Sequence, residues 1–266
     1  MSASAEASTE LLCIRHLTLR YGFGPTAVTA ANDVSLSVKA GRITALVGES
    51  GSGKSAIALA AMGLLGSSGH VEQGEIRLNG IELQSLPPHK RKAFRGRDIA
   101  MVFQDPANAL NPVLPIGRQL IETIRRHRPV GRTEARRIAV AQLKRAGLPN
   151  AESLLSKHAF QLSGGMCQRI MIALALVSGA KLLIADEPTT ALDVSVQSQI
   201  LRELRRVSRE EDVGILLITH DLGVVAELAE DMYVMQAGRI VEYGDVYSVF
   251  DHPRHAYTRE LLNSRL

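Results

Sequence analysis

Eight consecutive residues carry the most specific chemistry in this chain. Gly48-Glu49-Ser50-Gly51-Ser52-Gly53-Lys54-Ser55 fits the spacing G-x-x-x-x-G-K-[ST] at every fixed position. Glycines at 48, 51 and 53 let the backbone turn tightly and aim successive N–H groups at a β-phosphate. Lys54 brings a mobile positive charge to the β- and γ-phosphates, and the Ser55 hydroxyl is a ligand for Mg²⁺. The flanks fit the same reading. Residues 42–47 form a short buried strand in prospect and residues 55–62 a helix, so the loop stands at a helix N-terminus, where anions are favoured. The expected ligand is a nucleoside triphosphate with its phosphates cradled by residues 48–55.

A second group of residues could act on that ligand. Leu182-Leu183-Ile184-Ala185 is an apolar strand closing on Asp186 and Glu187. A buried strand that ends on Asp186 offers a rigid carboxylate opposite the Ser55 hydroxyl for the same Mg²⁺. Glu187, one residue beyond, faces the γ-phosphate as a general base for water. His220 ends its own strand in Thr219-His220-Asp221, and Gln104 ends another. Parallel strands bring their terminal residues to one sheet edge, so Gln104, Asp186, Glu187 and His220 are expected to meet at the γ-phosphate. Leu162-Ser163-Gly164-Gly165-Met166 makes a second anion-binding helix start. One γ-phosphate does not need two such sites from one chain, so Ser163, Gly164 and Gly165 are assigned to the ATP of a neighbouring subunit. Tyr21, 27 positions before Gly48, ends a strand as either an adenine-stacking ring or a half-buried tyrosine.

The elements that must position these residues are legible in outline. Residues 11–21 alternate as a strand, 34–38 form a second, and 74–83 a strand–turn–strand over Asn79-Gly80. Together they suggest an antiparallel flap beside the phosphate loop. Residues 87–97 hold Lys90, Arg91, Lys92, Arg95 and Arg97 and read as a solvated basic face. Residues 99–103 are another buried strand. From 105 to 160 the texture changes to a proline-punctuated loop and three helices, at 116–127, 133–146 and 151–158. Residues 104–160 hold ten Lys/Arg against four Asp/Glu, so this inserted helical subdomain presents a basic surface. A helix follows Ser163, another spans 194–209, a strand 214–219, a hairpin 232–242 and a helical tail 247–262. Alternating strands and helices predict an α/β fold with a mainly parallel sheet core, an antiparallel β subdomain and the helical insertion.

Composition sets bounds. At 266 residues, one nucleotide-binding domain with an insertion fits. A net charge of +4 does not by itself call for nucleic acid. Cys13 and Cys167 are far apart and give no metal spacing, as expected of a reduced, cytosolic chain. Residues 1–10 read as a polar, flexible tail and not a signal peptide. The longest apolar run, 170–177, falls far short of a membrane span, so a membrane role must come through partners.

Phosphate loop, Gln104, LSGGM, Asp186-Glu187-Pro188, Ala191-Leu192-Asp193 and His220, in this order, resemble the ATP-binding subunits of ABC transporters over residues 11–262. The signature LSGGM, 23 positions before the strand-borne carboxylates, is the specific part. Phe103-Gln104-Asp105-Pro106, Leu110-Asn111-Pro112 and the tail His252-Pro253-Arg254-His255-Ala256-Tyr257-Thr258 narrow the likeness to the dipeptide/oligopeptide/nickel importers. Ala256 replaces that family's usual proline, and Cys167 stands where arginine or glutamine is commoner. The His252/His255 pair, with no third ligand, reads as a packed tail and not a metal site.

The resemblance implies a RecA-like P-loop core in a single ABC ATPase domain over 11–266, with a family tail at about 244–266. It implies two ATPase subunits closing head-to-tail, each ATP lying between one phosphate loop and the other chain's LSGGM. Ser55, Gln104 and Asp186 then serve Mg²⁺, Glu187 polarises water and His220 senses the γ-phosphate. Tyr21 stacks on adenine, and Asp193 bridges the subunits. The implied partners are a second ATPase, identical or related, two transmembrane permease subunits and, indirectly, a solute-binding protein, at the cytoplasmic face of the membrane and without nucleic acid. The implied cargo is a peptide or a nickel or other metal chelate, the short tail leaning toward the latter. The alternative class is a soluble ABC ATPase of a metabolic or nucleic-acid-processing complex. Nucleic-acid members insert coiled coils or zinc modules between phosphate loop and signature, and this interval has neither heptads nor C-x-x-C pairs.

Overall fold

The computed structural model describes residues 10–189 and 194–264, apart from the side chains of Ala107 and Asn108. In chain order the strands are β1 (Glu10–Tyr21), β2 (Val28–Lys39), β3 (Ile43–Val47), β4 (Gly69–Leu78), β5 (Ile81–Glu82), β6 (Ile99–Val102), β7 (Leu182–Asp186), β8 (Gly214–Thr219), β9 (Asp231–Gln236) and β10 (Arg239–Asp245). The helices are α1 (Lys54–Met62), α2 (Pro88–Phe94), α3 (Pro106–Ala109), α4 (Ile116–His127), α5 (Arg132–Arg145), α6 (Ala151–Leu154), α7 (Gly164–Val177), α8 (Val194–Glu211), α9 (Leu222–Leu228), α10 (Val246–Asp251) and α11 (Ala256–Asn263).

Two sheets carry the architecture. The first is antiparallel, in the order β2-β1-β4-β5. Its β4–β5 turn uses Asn79 and Gly80, both at positive φ (50° and 77°), as a two-residue hairpin requires. The second runs β10-β9-β3-β8-β7-β6, with β9, β3, β8, β7 and β6 parallel and β10 antiparallel at the edge. Strands buried on both faces read as unbroken apolar runs, and their period of two divides them between two cores. Ala45, Leu217, Leu183 and Ala185 face the core shared with α7, α8, α9, α10 and α11. Leu46, Leu216, Ile218 and Ile184 face the opposite core, shared with α1 and the antiparallel sheet. A third cluster joins α4, α5 and α6 to one side of α7 through Leu120, Ile124, Leu143, Leu154, Ile170 and Ala173. Helix α7 is thus a common wall between the parallel-sheet core and the inserted helices.

Three elements depart from the sequence reading. The helix expected over 151–158 stops at Leu154. The carbonyls of Leu155 and Lys157 are taken by the N–H groups of Gly117 (2.9 Å) and Ile116 (2.8 Å), while the Ser153 and Ser156 hydroxyls bond to the carbonyls of Asn150 and Ser153. The tail expected as one helix is two, α10 and α11. Pro253 between them has no N–H to continue a helix, and the N–H groups of Arg254 and His255 turn instead to the Glu242 carboxylate. Part of the basic run is ordered as α2, and Arg95 just beyond it binds the carbonyls of Met62 (2.8 Å) and Gly63 (2.6 Å) at the end of α1.

Candidate functional site

Register alone brings the functional residues to one edge. Val47 of β3 is paired with Thr219 of β8, and Ile218 of β8 with Asp186 of β7. The residues that follow, Gly48, His220 and Glu187, therefore leave the sheet side by side at its C-terminal edge, where open α/β sheets bind ligands. Gln104 follows β6, the strand on the far side of β7.

The loop 48–53 is shaped by glycines that nothing larger could replace. Gly48 (φ 151°) lies against the Met235 carbonyl and Gly53 (φ 107°) against the Ala30 carbonyl, each so close that a Cβ would collide with backbone. Lys54 opens α1 with its side chain buried at 6% exposure. Its ammonium donates to the carbonyls of Gly48 (2.8 Å) and Glu49 (2.7 Å) and lies 3.4 Å from the Ser52 hydroxyl. The charge is thereby held inside the ring of the loop at the N-terminus of α1.

Ser50, Gly51, Gly53, Lys54, Ser55, Ala56, Gln104, Glu187 and His220 line an open cleft of about 380 Å³. Glu187 is held at φ 50°, an uncommon region for a non-glycine residue, with its N–H on the Ile218 carbonyl at 2.8 Å. Its Oε1 is 2.7 Å from His220 Nδ1, and its side chain is 10% exposed against 43% for the imidazole. His220 is itself fixed from below. Thr219 Oγ1 accepts from the Asp221 N–H, and Asp221 caps α9 by accepting from the N–H groups of Gly223 and Val224.

Asp186 is 4% exposed. Burial raises its carboxyl pKa above the ordinary aspartate value; a hydrogen bond with Ser55 opposes the shift, the Glu187 charge adds to it and Lys54 opposes it. Among the described residues, Asp186 Oδ1 has no hydrogen-bond partner. A buried, partnerless carboxylate oxygen beside a serine hydroxyl is what a hard divalent cation needs from a protein, so Ser55 and Asp186 fit Mg²⁺.

Other sequence-selected residues lie outside this cleft. Ser163 caps α7, its hydroxyl accepting from the Met166 N–H at 3.4 Å, and neither it nor Gly164 or Gly165 lines the cleft. A Cβ at Gly164 would meet nothing within 4 Å, so this helix start is open to a ligand from outside the chain. Tyr21 is half-buried at the end of β1, its ring so near Gly69 that a Cβ there would come within 2.8 Å of it. Asp193 lies outside the described residues. Sequence reading missed two contacts. Gln168 of α7, 3% exposed, donates to the Pro188 carbonyl at 2.7 Å and ties the signature helix to the segment after Glu187. Tyr257 of α11 accepts from the Glu49 N–H within the phosphate loop. Both join segments distant in sequence, and no local motif announces either.

A glycine-built phosphate loop at the C-terminal edge of a parallel sheet, with a carboxylate and a histidine facing it, defines a P-loop nucleotide-binding domain. The comparisons narrow the class. The family profile for ABC transporters matches residues 31–190, well over half of the sequence, and the chain belongs to that family. It is 43% identical over 254 residues to the dipeptide transport ATP-binding protein DppD of Escherichia coli, covering 96% of this chain and 78% of the relative. The oligopeptide transport ATP-binding protein OppD of the same organism is 44% identical, covering 96% and 75%. A putative peptide import ATP-binding protein of Brucella melitensis is 48% identical, covering 89% and 72%. Among solved structures, the ATP-binding cassette MJ0796, as a post-hydrolysis dimer bound to ADP and Pi, superposes with a TM-score of 0.79 at 26% identity, covering 88% of this chain and 98% of that one.

Proposed function

We propose that this chain binds and hydrolyses ATP to energise a peptide importer, acting from the cytoplasmic face of the membrane through separate permease subunits. The observation that carries the reading is one cleft faced by Lys54, Ser55 and the Glu187–His220 pair, with buried Asp186 behind it. Lys54 and the loop amides hold the β- and γ-phosphates. Ser55 and Asp186, with Gln104 at the mouth, are the residues that would hold Mg²⁺. A divalent cation held by these residues would supply charge neutralisation for the bound phosphates. Glu187 accepts the proton of the attacking water. His220 positions the Glu187 carboxylate and contacts the γ-phosphate.

The open N-terminus of α7 supports a two-chain arrangement in which Ser163, Gly164 and Gly165 close over the ATP on a partner's loop, with Asp193 at the junction and Tyr21 toward adenine. The partner is a second copy or a related ATPase. The Gln168–Pro188 bond gives the signature helix a physical link to the segment that carries Glu187. Residues 105–160 form the helical subdomain that relays closure to two permease subunits, and a solute-binding protein delivers cargo. Val113, 79% exposed between α3 and α4, offers an apolar contact for that relay. Among the described residues no helix is long and apolar enough to cross a membrane, which supports a peripheral seat. Peptide is preferred over a nickel chelate because the relatives reported above are named for peptide transport.

The test is a pull-down of the tagged chain from detergent-solubilised membranes. Recovery of two multi-span proteins and a second ATPase supports the reading. Recovery of soluble enzymes or DNA with no membrane protein overturns the importer.

A further inference from the structure

The C-terminal segment reaches the phosphate loop. Helix α11 begins at Ala256, and Tyr257 in its first turn is 5% exposed, packed in the core shared with Leu261 and Leu262. Its hydroxyl oxygen accepts the N–H of Glu49 at 3.0 Å, across 208 positions of sequence. The carbonyl of the same residue, Glu49, accepts the Lys54 ammonium at 2.7 Å. One residue of the loop thus has its donor on the tail, while its carbonyl is shared between the phosphate-binding lysine and the Ser52 N–H (3.2 Å).

The tail is built to hold that tyrosine still. Glu242 on β10, 9% exposed, accepts the N–H groups of Arg254 (2.7 Å) and His255 (2.9 Å). His255 Nδ1 then accepts the Tyr257 N–H at 3.2 Å and caps α11. From the Glu242 carboxylate to the Tyr257 hydroxyl, the chain is fixed by hydrogen bonds at consecutive points. A phenylalanine would keep the ring in this core and lose only the hydroxyl, which binds the phosphate loop at Glu49. The Glu49 side chain is exposed, so this half of the loop is held through its backbone: the Lys54 ammonium on the Gly48 carbonyl (2.8 Å), the Ser52 N–H on the Glu49 carbonyl (3.2 Å) and the Glu49 N–H on the Tyr257 hydroxyl.

We propose that Tyr257 is a positioning residue for nucleotide binding, fixing the Glu49 peptide so that its carbonyl presents Lys54 to the phosphates, with the 252–258 strap as its support. The proposal rests on the reading of this loop as the ATP site.

Tyr257→Phe in the full chain removes the hydroxyl and keeps the ring. MgATP affinity, KM, kcat and the nucleotide-free melting temperature are measured together. Kd and KM should rise about 3- to 10-fold, the scale of one lost hydrogen bond, with kcat within about twofold and the nucleotide-free melting temperature little changed. Glu242→Gln loosens the strap at its other end without touching the loop. It should raise Kd in the same direction, and the double variant should cost less than the product of the two single effects. Unchanged Kd and KM in Tyr257→Phe, with only a lowered melting temperature, would show a purely structural tyrosine and overturn the proposal. If Tyr257→Phe does not fold, unchanged Kd in Glu242→Gln overturns it equally. Failure of the underlying ATP reading is distinct, because wild-type protein would then bind no MgATP.

Discussion

Asp186 shows how a single side chain is set for its task at the expense of the fold. Its carboxyl sits almost wholly out of water with one oxygen unpartnered, and burial raises its pKa. A carboxyl whose pKa is higher in the folded than in the unfolded chain favours folding most below its unfolded pKa, and that benefit is lost as pH rises through the folded value. Asp186→Asn should therefore stabilise the nucleotide- and metal-free protein at neutral pH by about 1 kcal/mol, since a buried charge with one oxygen left without a hydrogen bond costs more than a neutral amide in its place. The advantage should vanish as pH falls through the carboxylate range, and Mg²⁺-dependent hydrolysis should be lost. Urea melts of both proteins across pH check the sign. A destabilised variant at neutral pH would contradict a carboxylate held in the fold at a cost to stability. Glu187 carries a second local cost, a left-handed backbone at φ 50°. That strain places its carboxylate on His220 and off the line of β7.

Among elements, α7 does the most joining. One side packs in the parallel-sheet core through Met171 and Ile172, the other against the inserted helices through Ile170 and Ala173. Its N-terminus lies open at Ser163 and Gly164, and Gln168 grips Pro188. In the two-chain arrangement proposed above, an arginine at position 163 fills the space a partner's phosphates would take and leaves this chain's own phosphate loop untouched. Ser163→Arg should keep MgATP affinity within about threefold and lower turnover of the assembled complex at least about 100-fold, the scale of losing a preorganised oxyanion donor. Collapse of nucleotide affinity in that variant would mean that Ser163 belongs to the same chain's site. The sequence made α7 and the phosphate loop legible because each is a local pattern: Ser-Gly-Gly before an apolar helix, three glycines before Lys-Ser. The end of α6 and the break before α11 were not read correctly. What stops α6 is backbone bonding from Ile116 and Gly117, and what organises the break is Glu242, 12 and 13 residues upstream of the N–H groups it accepts. Periodicity along one stretch carries no record of such distant partners.

At the scale of the molecule, two cores back to back across one parallel sheet hold β3, β7 and β8 in fixed register, and that register sets Gly48, Glu187 and His220 together. This much of the site was legible, since a strand's apolar run shows where it ends and a parallel sheet aligns the ends. The reach of Tyr257 to Glu49 was not, because it depends on how α11 packs after the sheet is complete. A ligand that binds only the folded chain stabilises it by mass action. MgATP at 100 times its Kd should add about 2.7 kcal/mol and raise the melting temperature by about 5–10 °C. Lys54→Ala should abolish the shift, and an equal shift in that variant would move the nucleotide elsewhere. The most direct test of the account is Glu187→Gln in the membrane-derived complex, with ATP affinity and turnover measured on one preparation. The cleft geometry predicts affinity within about threefold of wild type and turnover reduced about 10²–10⁴-fold, the usual worth of a positioned general base. Turnover unchanged by the substitution, or affinity lost along with it, would contradict the assignment of Glu187 and the site built around it.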